Sequence, residues 1–446
     1  MDLLGGERRS VGGRPGRPRA APAPTAGSVG PVSRATDPPS PAARPSVGLL
    51  GDRVFGPWFF GLAVSNSGNW LFNVTAAVVV FQLSGSALLV GLVSVAQFAP
   101  LALLSPAAGA LTDRVDRRGL LLVAQGFAAF CATALAVPVL LLGVDGLPGA
   151  WPIVAAATGI GIGQAVSAPA MQALVPSLVD DADLESGIAL TSLTFSLGRA
   201  AGPATSGVLL ATLGPEIAFA ANAVSFVVLL AALAVVRPRP RRSAVDRDAS
   251  VRAGVAHVRR DRLTLLLLGG VAATGFAADP MITLAPSLTT VLDGGDTLTA
   301  VLVSAFGIAA APAAAVSGRL QRRYGSLSVA GAGATTMAVG LTTAAVAQVA
   351  AVAVAGFALC GVGFVLALTG FTSVLQRRVP DEMRGRIMAL WSVAFLGNRP
   401  IAALIDGRAA DLFGPRWAML VAIVVALGGV VLARRAREHH TVPPAS

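Results

Sequence analysis

The chain has no lysine: all 34 of its basic residues are arginine, a skew that points to a GC-rich coding sequence rather than to chemistry. It therefore has no phosphate-binding loop of the form G-x-x-x-x-G-K-[ST], and ATP is not expected to drive it directly. There are two cysteines, Cys131 and Cys360, far apart and each inside an apolar run. They read as small buried residues and imply neither a disulfide nor a metal site. Three histidines, His257, His439 and His440, lie in polar segments, so no metal cluster and no cofactor is expected. Charge is scarce as well, at 13% of residues, where a soluble chain carries about 25%.

What fills that space is hydrophobic, 54% of 446 residues. From Pro57 onward twelve apolar runs follow one another, at about 57–81, 86–110, 119–143, 151–178, 187–213, 216–236, 264–291, 298–321, 327–348, 350–376, 387–413 and 415–435. Each is long enough to cross about 30 Å of hydrocarbon at a helical rise of about 1.5 Å per residue. The expected fold class is thus an all-α membrane protein with twelve transmembrane helices in two six-helix halves. The expected organisation is a Pro-, Gly- and Arg-rich tail over 1–50 with no signal-peptide-like stretch and too little apolar content to fold, a first half over 51–236, a basic linker over 237–262, a second half over 263–435 and a tail over 436–446. The linker can hold a short amphipathic helix on an anionic leaflet.

The formal net charge of +11 would suggest nucleic acid in a soluble protein. Here the arginines fall between the apolar runs, so topology is the simpler cause and no nucleic-acid partner is expected. With the edge residues Arg319 and Arg416 counted in their neighbouring turns, the turns after even-numbered runs other than the last hold 19 arginines, whereas turns after odd-numbered runs hold only Arg416. The bias predicts a multi-pass protein of the bacterial plasma membrane with both termini in the cytoplasm.

Two stretches repeat at an offset of 200 residues. The first reads FSLGRAAGPATSGVLLATLGP from Phe195, and the second reads AFLGNRPIAALIDGRAADLFGP from Ala394. Phe195 and Phe395, Arg199 and Arg399, Gly207 and Gly407, Gly214 and Gly414, and Pro215 and Pro415 correspond. Internal repeats of this kind build many transporter folds.

Charge reappears abruptly in GALTDRVDRRG, 109–119, after none between Ser86 and Ala110. Gly109, Asp113, Arg114, Arg117 and Arg118 of this turn resemble the G-x-x-x-D-R-x-x-R-R signature of the major facilitator superfamily. A weaker copy, GRLQRRYG, keeps Gly318, Arg322 and Arg323 without the acid. GRAAGPATSG in the fifth run resembles the antiporter signature G-x-x-x-G-P-x-x-x-G, carried by Gly198, Gly202, Pro203 and Gly207, with Arg199 inside it. SNSGNW at 65–70, GSALLVGLVSVAQFAP at 85–100, ALVPSLV at 173–179 and VPDEMRGRIMAL at 379–390 narrow the likeness to the enterobactin-exporter and macrolide-efflux branch. The resemblance covers about 51–435. It implies a monomeric secondary transporter that alternates access around a site near the midplane. It also implies export of a small amphipathic molecule, a drug, siderophore or secondary metabolite, in exchange for protons. The charged turn would then be a latch between halves, with Asp113 meeting Arg117, Arg118 or a helix N-terminus of the other half. A charged turn solvated for topology alone is the plain alternative.

Several residues are candidates for the cavity or for coupling. Asn66, Asn69, Trp70 and Asn73 fall at helical spacing, and the three amides share a face that suits a cavity wall or interhelical hydrogen bonds. Charges inside membrane runs are costly, about 2.5–3.5 kcal/mol at the centre on insertion scales, so they usually face a cavity or a partner. Arg199 and Arg399 are such residues. Asp279 is either a proton carrier or the cap of a helix broken before Pro280. Asp406 and Arg408 could pair at the outer rim, and Asp411 could be solvated. An importer on the same scaffold remains open, as does a membrane-embedded sensor or enzyme, which would need a cluster of His, Asp or Glu at a membrane face.

Overall fold

The structure is a computed structural model and describes residues 46–112, 114–236, 258–379 and 381–441. The expected tail over 1–50 lies almost wholly outside these, as do most of the linker and its amphipathic helix. Asp113 and the side chains of Arg199 and Pro203 lie outside them too.

Among the described residues the chain is helical, with no strand. The first half comprises α1 (Phe55–Ser84), α2 (Ala87–Thr112), α3 (Arg117–Leu142), α4 (Trp151–Leu174) and α5 (Leu184–Val235). The second comprises α6 (Arg262–Ala277), α7 (Pro280–Thr283), α8 (Ala285–Val291), α9 (Gly295–Tyr324), α10 (Ser326–Val346), α11 (Ala350–Arg378), α12 (Asp381–Leu396), α13 (Arg399–Phe413) and α14 (Pro415–Thr441). Most of these helices are apolar on every side, as expected where neighbouring helices cover one face and lipid the other. Leu103, Val123 and Leu141 are accordingly exposed at 77%, 72% and 77%.

The helix breaks account for the count. Gly214 takes φ +83° and ψ +169° and divides α5 into two limbs, the fifth and sixth runs. Gly414 takes φ +88° and ψ +158° between α13 and α14. Left-handed φ favours glycine, and both glycines precede a proline that reopens the helix, so the repeat in sequence is also a repeat in backbone. The seventh run is split at Asp279–Pro280 and again at Leu284, and the eleventh is split between α12 and α13. Nine helical stretches among the described residues are long and apolar enough to cross a membrane. Helix α1, although 30 residues long, is not among them; Asn66, Asn69 and Asn73 lower its hydropathy. The last helix runs to Thr441.

Each half has its own core. Phe72, Phe219 and Phe226 lie in the first, and Phe357, Phe371 and Leu302 in the second. The halves meet along two related seams, α5 against α9 and α13 against α2. Glycine permits the close approach at both. A Cβ on Gly207 would stand 1.9 Å from Ser304 Oγ and 2.4 Å from the Ala300 carbonyl oxygen. One on Gly407 would stand 2.5 Å from the Ala87 carbonyl oxygen. We call the end of the bundle holding the 114–117 turn the motif face, and the end holding Gly85, Gly214 and Gly414 the distal face.

Candidate functional site

Between the halves lies a cavity of about 250 Å³, near the lower end of the roughly 300–1,000 Å³ usual for small-molecule sites. Its walls differ. The first half supplies amides: Asn66, Asn69 and Asn73 from α1, Gln97 from α2 and Gln164 from α4. The second half supplies Met281, Ile282, Phe306, Phe364 and Phe395. Rings run in a row there, with centroids 5.6 Å apart for Phe306 and Phe364, 6.1 Å for Phe364 and Phe395, and 5.2 Å for Phe395 and Trp391. Phe195 and Phe395, equivalent in the repeat, both line the cavity.

The amide wall is built by helix packing. Asn66 donates from Nδ2 to Thr194 Oγ1 at 3.1 Å, and Asn69 donates to the Ser65 carbonyl at 3.1 Å. Gly198 and Gly202 of α5 make room for that wall. Their Cβ positions would fall 3.0 Å from Asn66 Cβ and 2.3 Å from Trp70 Cβ. Two groups singled out in the sequence, the helix-five glycines and the α1 amides, are thus one contact. Two buried acceptors, Asn69 Oδ1 and Gln97 Oε1, meet no donor. Polar atoms of that kind normally find one.

Arg399 stands where the walls meet. Its guanidinium carbon lies 4.6 Å from the Phe98 ring centroid and 5.7 Å from that of Trp70, both in the first half. Its Nε is 3.7 Å from Asp279 Oδ1. Asp279 is 1% exposed, and its other oxygen accepts from Thr283 Oγ1 at 2.6 Å. Asp279 starts α7 at the break before Pro280 without a side-chain cap hydrogen bond, and it faces a cation. Arg399 is not mid-helix but opens α13, with Pro400 behind it.

Two sequence readings are corrected. Asp406 and Arg408 do not form a rim pair. They are two residues apart on one helix and so point in different directions; Asp406 is fully buried, whereas Arg408 is exposed. Asp411 is not merely solvated. Its carboxylate accepts from Ser86 Oγ at 2.6 Å, Ala87 N at 2.7 Å and Leu88 N at 3.2 Å, capping the first turn of α2 across the seam. Gln82 and Asp296 make a second polar contact between halves on this face.

On the motif face the arginines of the charged turn bond within their own half. Arg117 donates to the Ala173 carbonyl at 3.2 Å, and Arg118 donates to those of Leu233 and Ala234 at 2.9 and 2.6 Å. Cations favour such helix C-termini. Asp116 caps α3 by accepting from Gly119 N at 2.6 Å, and Arg114 is exposed. In the second copy Gly318 and Arg322 line a surface groove with Arg377 and Arg437, while Arg323 lies 5.2 Å over the neighbouring Tyr324 ring. Arg378 forms a two-pronged pair with Asp261, at 3.0 and 3.1 Å. Burial works against charge on Asp261, but the Arg378 and Thr264 hydrogen bonds, the arginine's charge and the Leu263 N–H outweigh it and hold the carboxyl at about 2.

Gln97, Phe98 and Gln164 were not singled out in the sequence, because single amides and rings inside strongly apolar runs carry no motif. Both cysteines are free.

Comparison with known proteins agrees with this architecture. A family model described as transmembrane secretion effector matches residues 48–441. The staphyloferrin A transporter of Staphylococcus aureus is 31% identical over 159 residues, covering 36% of this chain and 39% of that protein. The enterobactin exporter EntS of Citrobacter koseri is 28% identical, with 81% of this chain and 84% of that one covered. The multidrug efflux pump Tap of Mycolicibacterium fortuitum is 25% identical, with 80% and 88% covered. Among solved structures, a bacterial homologue of the human lysosomal transporter Spinster superposes with a TM-score of 0.70 at 13% identity, covering 91% of this chain and all of that one. With the match spanning nearly the whole bundle, the chain belongs to the transmembrane secretion effector family of major facilitator transporters, multi-pass proteins of the membrane.

Proposed function

We propose that this protein exports a small amphipathic organic molecule, a drug, siderophore or secondary metabolite, by proton antiport with alternating access. The observation that carries the reading is the cavity itself. An aromatic wall faces an amide wall with two unfilled acceptors, and a guanidinium stacked on rings sits between them. Such a site suits a ligand with an apolar body, hydroxyl or amine donors, and an acidic or acceptor group. The names of the relatives, two for siderophores and one for drugs, support the same class.

Orientation follows from the arginine bias: the motif face is cytoplasmic and so are both termini. Contacts gathered at the distal face, with Phe195 in the cavity wall 49% exposed, support an inward-open conformation. In it Asp411 latches the outer side. In the opposite conformation Asp113 is proposed to latch the cytoplasmic side against the other half.

Untargeted metabolite profiling of a deletion strain tests the direction and the substrate. An exporter's substrate accumulates inside the cells; depletion inside would favour import. Coupling is tested with the identified substrate in proteoliposomes carrying a pH gradient. The parent should respond to the gradient and Asp279→Asn should not.

A further inference from the structure

We propose that Asp406 carries the exchanged proton on the distal side of Arg399, as a buried carboxylate with neither a cation nor a hydrogen-bond donor of its own. Its role in transport rests on the antiport reading above. Asp406 lies seven residues beyond Arg399 on α13, two turns on the same face and about 10.5 Å further toward the distal side. It is 0% exposed, and neither of its oxygens meets a hydrogen-bond donor. Burying an ionised carboxylate without a partner costs several kcal/mol.

Among the described residues the surroundings supply no second cation. Helix α2, packed on α13, has no ionisable residue between Ala87 and Thr112. From the α6–α7 junction, which α13 also touches, comes Asp279, itself a carboxylate. From α14 comes Arg416, which donates to the Ala347 carbonyl. On its own helix Arg408 points outward and Asp411 is bonded to α2. Arg399 sits 3.7 Å from Asp279. Asp279 has Arg399 as its cation, whereas Asp406 has neither a donor nor a cation beside it among the described residues and is neutral only with a proton of its own.

The position also fits alternating access. Asp406 is next to Gly407, the point of closest approach between α13 and α2. Parting that seam wets Asp406 from the distal side, while Arg399 stays on the cavity wall. A proton from distal water forms the O–H bond on Asp406. After closure it passes through the Asp279 carboxylate to water on the motif side, leaving Asp406 ready for the next.

Two substrate-independent measurements test this on the full-length protein in lipid. Infrared spectroscopy at neutral pH should find a carboxylic-acid C=O band resistant to exchange in the parent and missing in Asp406→Asn. An unchanged band overturns the proposal. A thiol reporter at Ala300→Cys, 1% exposed on the α5–α9 seam, should label in a pH-dependent way in the parent background, and the dependence should flatten in Asp406→Asn. Equal pH dependence in both overturns Asp406 and leaves antiport standing. No pH dependence in the parent overturns antiport itself and this role with it. Asp406→Ser, which copies the first-half residue Ser206, guards against misfolding of the amide and should give the same losses.

Discussion

Residues 195–215 and 395–415 are two copies of one stretch that do different chemistry. The scaffold positions agree: Phe195 and Phe395 line the cavity, Gly207 and Gly407 sit on the seams, and Gly214 and Gly414 break the helix in the same left-handed conformation. The positions between them diverge. Ser206 is fully buried and closes its own hydrogen bond to the Gly202 carbonyl at 2.7 Å, whereas its counterpart Asp406 is equally buried and bonds nothing. Ala211 corresponds to Asp411, which crosses to the other half. Both copies carry an arginine, Arg199 and Arg399, but the first copy is a packing surface for Asn66 and Trp70 whereas the second adds two carboxylates, Asp406 and Asp411. A duplicated scaffold can keep its backbone and seams while one copy alone acquires buried carboxylates.

The largest effect expected from breaking this asymmetry is at the arginines. Arg399→Ala removes the cation from a buried pair, a change that typically costs about 3–5 kcal/mol. It should lower thermal unfolding temperature in detergent and abolish transport. Arg199→Ala, measured beside it at matched expression, asks whether the copies share a role. An equal loss at both sites would erase the division of labour argued above.

The seams should respond alike, because there the copies are alike. Gly207→Ala and Gly407→Ala each force a Cβ against a backbone carbonyl, and overpacking of this kind costs about 1–3 kcal/mol. At about 1.4 kcal/mol per tenfold, each should shift the population several-fold to a hundredfold toward a parted distal face, read as faster labelling of Ala300→Cys. A shift at only one of the two would show that the seams are not equivalent.

Asp411→Asn should act in the same direction but less. It keeps an acceptor for Ser86 and the α2 amides and loses the charge, so a change on the order of tenfold in labelling is expected. Unaltered labelling would remove Asp411 as the distal latch.

Much of this was legible in the sequence and some of it could not be. The twelve runs, the breaks at Asp279–Pro280, Gly214 and Gly414, and the repeat all follow from composition and local backbone preference, which act over a few residues. The glycines of the fifth run and the α1 amides stood out singly, but their contact did not, because it joins positions 132 residues apart, as Asn66 and Gly198 are. Asp411 reaches Ala87 over 324 residues, and no local pattern encodes such a bond. Asp406 was misread because two charges close in sequence suggest a pair, whereas helix geometry turns them to different sides. Gln97 and Gln164 were lost in the average hydropathy of their helices.

The smallest effect is expected at the motif face, where each half starts its first helix on an aspartate. Asp52, before α1, accepts from the N–H groups of Val54 and Phe55 at 2.8 and 3.0 Å. Asp261, in the matching place before α6, accepts from Leu263 N, Thr264 Oγ1 and both prongs of Arg378. The second half thus ties the start of its first helix to the end of α11 through an ion pair. Asp261 is held at about 2, below the roughly 3.9 of an unfolded aspartate. A carboxyl depressed on folding stabilises the protein above its unfolded value and loses that contribution as pH falls toward its folded value. The pair is partly exposed and screened by salt, so its contribution is small. Asp261→Asn should therefore unfold slightly earlier than the parent at pH 6, and the gap should close as pH is lowered from about 4 toward 2. Arg378→Gln should behave likewise. A gap in Asp261→Asn that stays constant down to pH 2 would assign the effect to the lost helix cap alone and remove the ion pair as a contributor at this face.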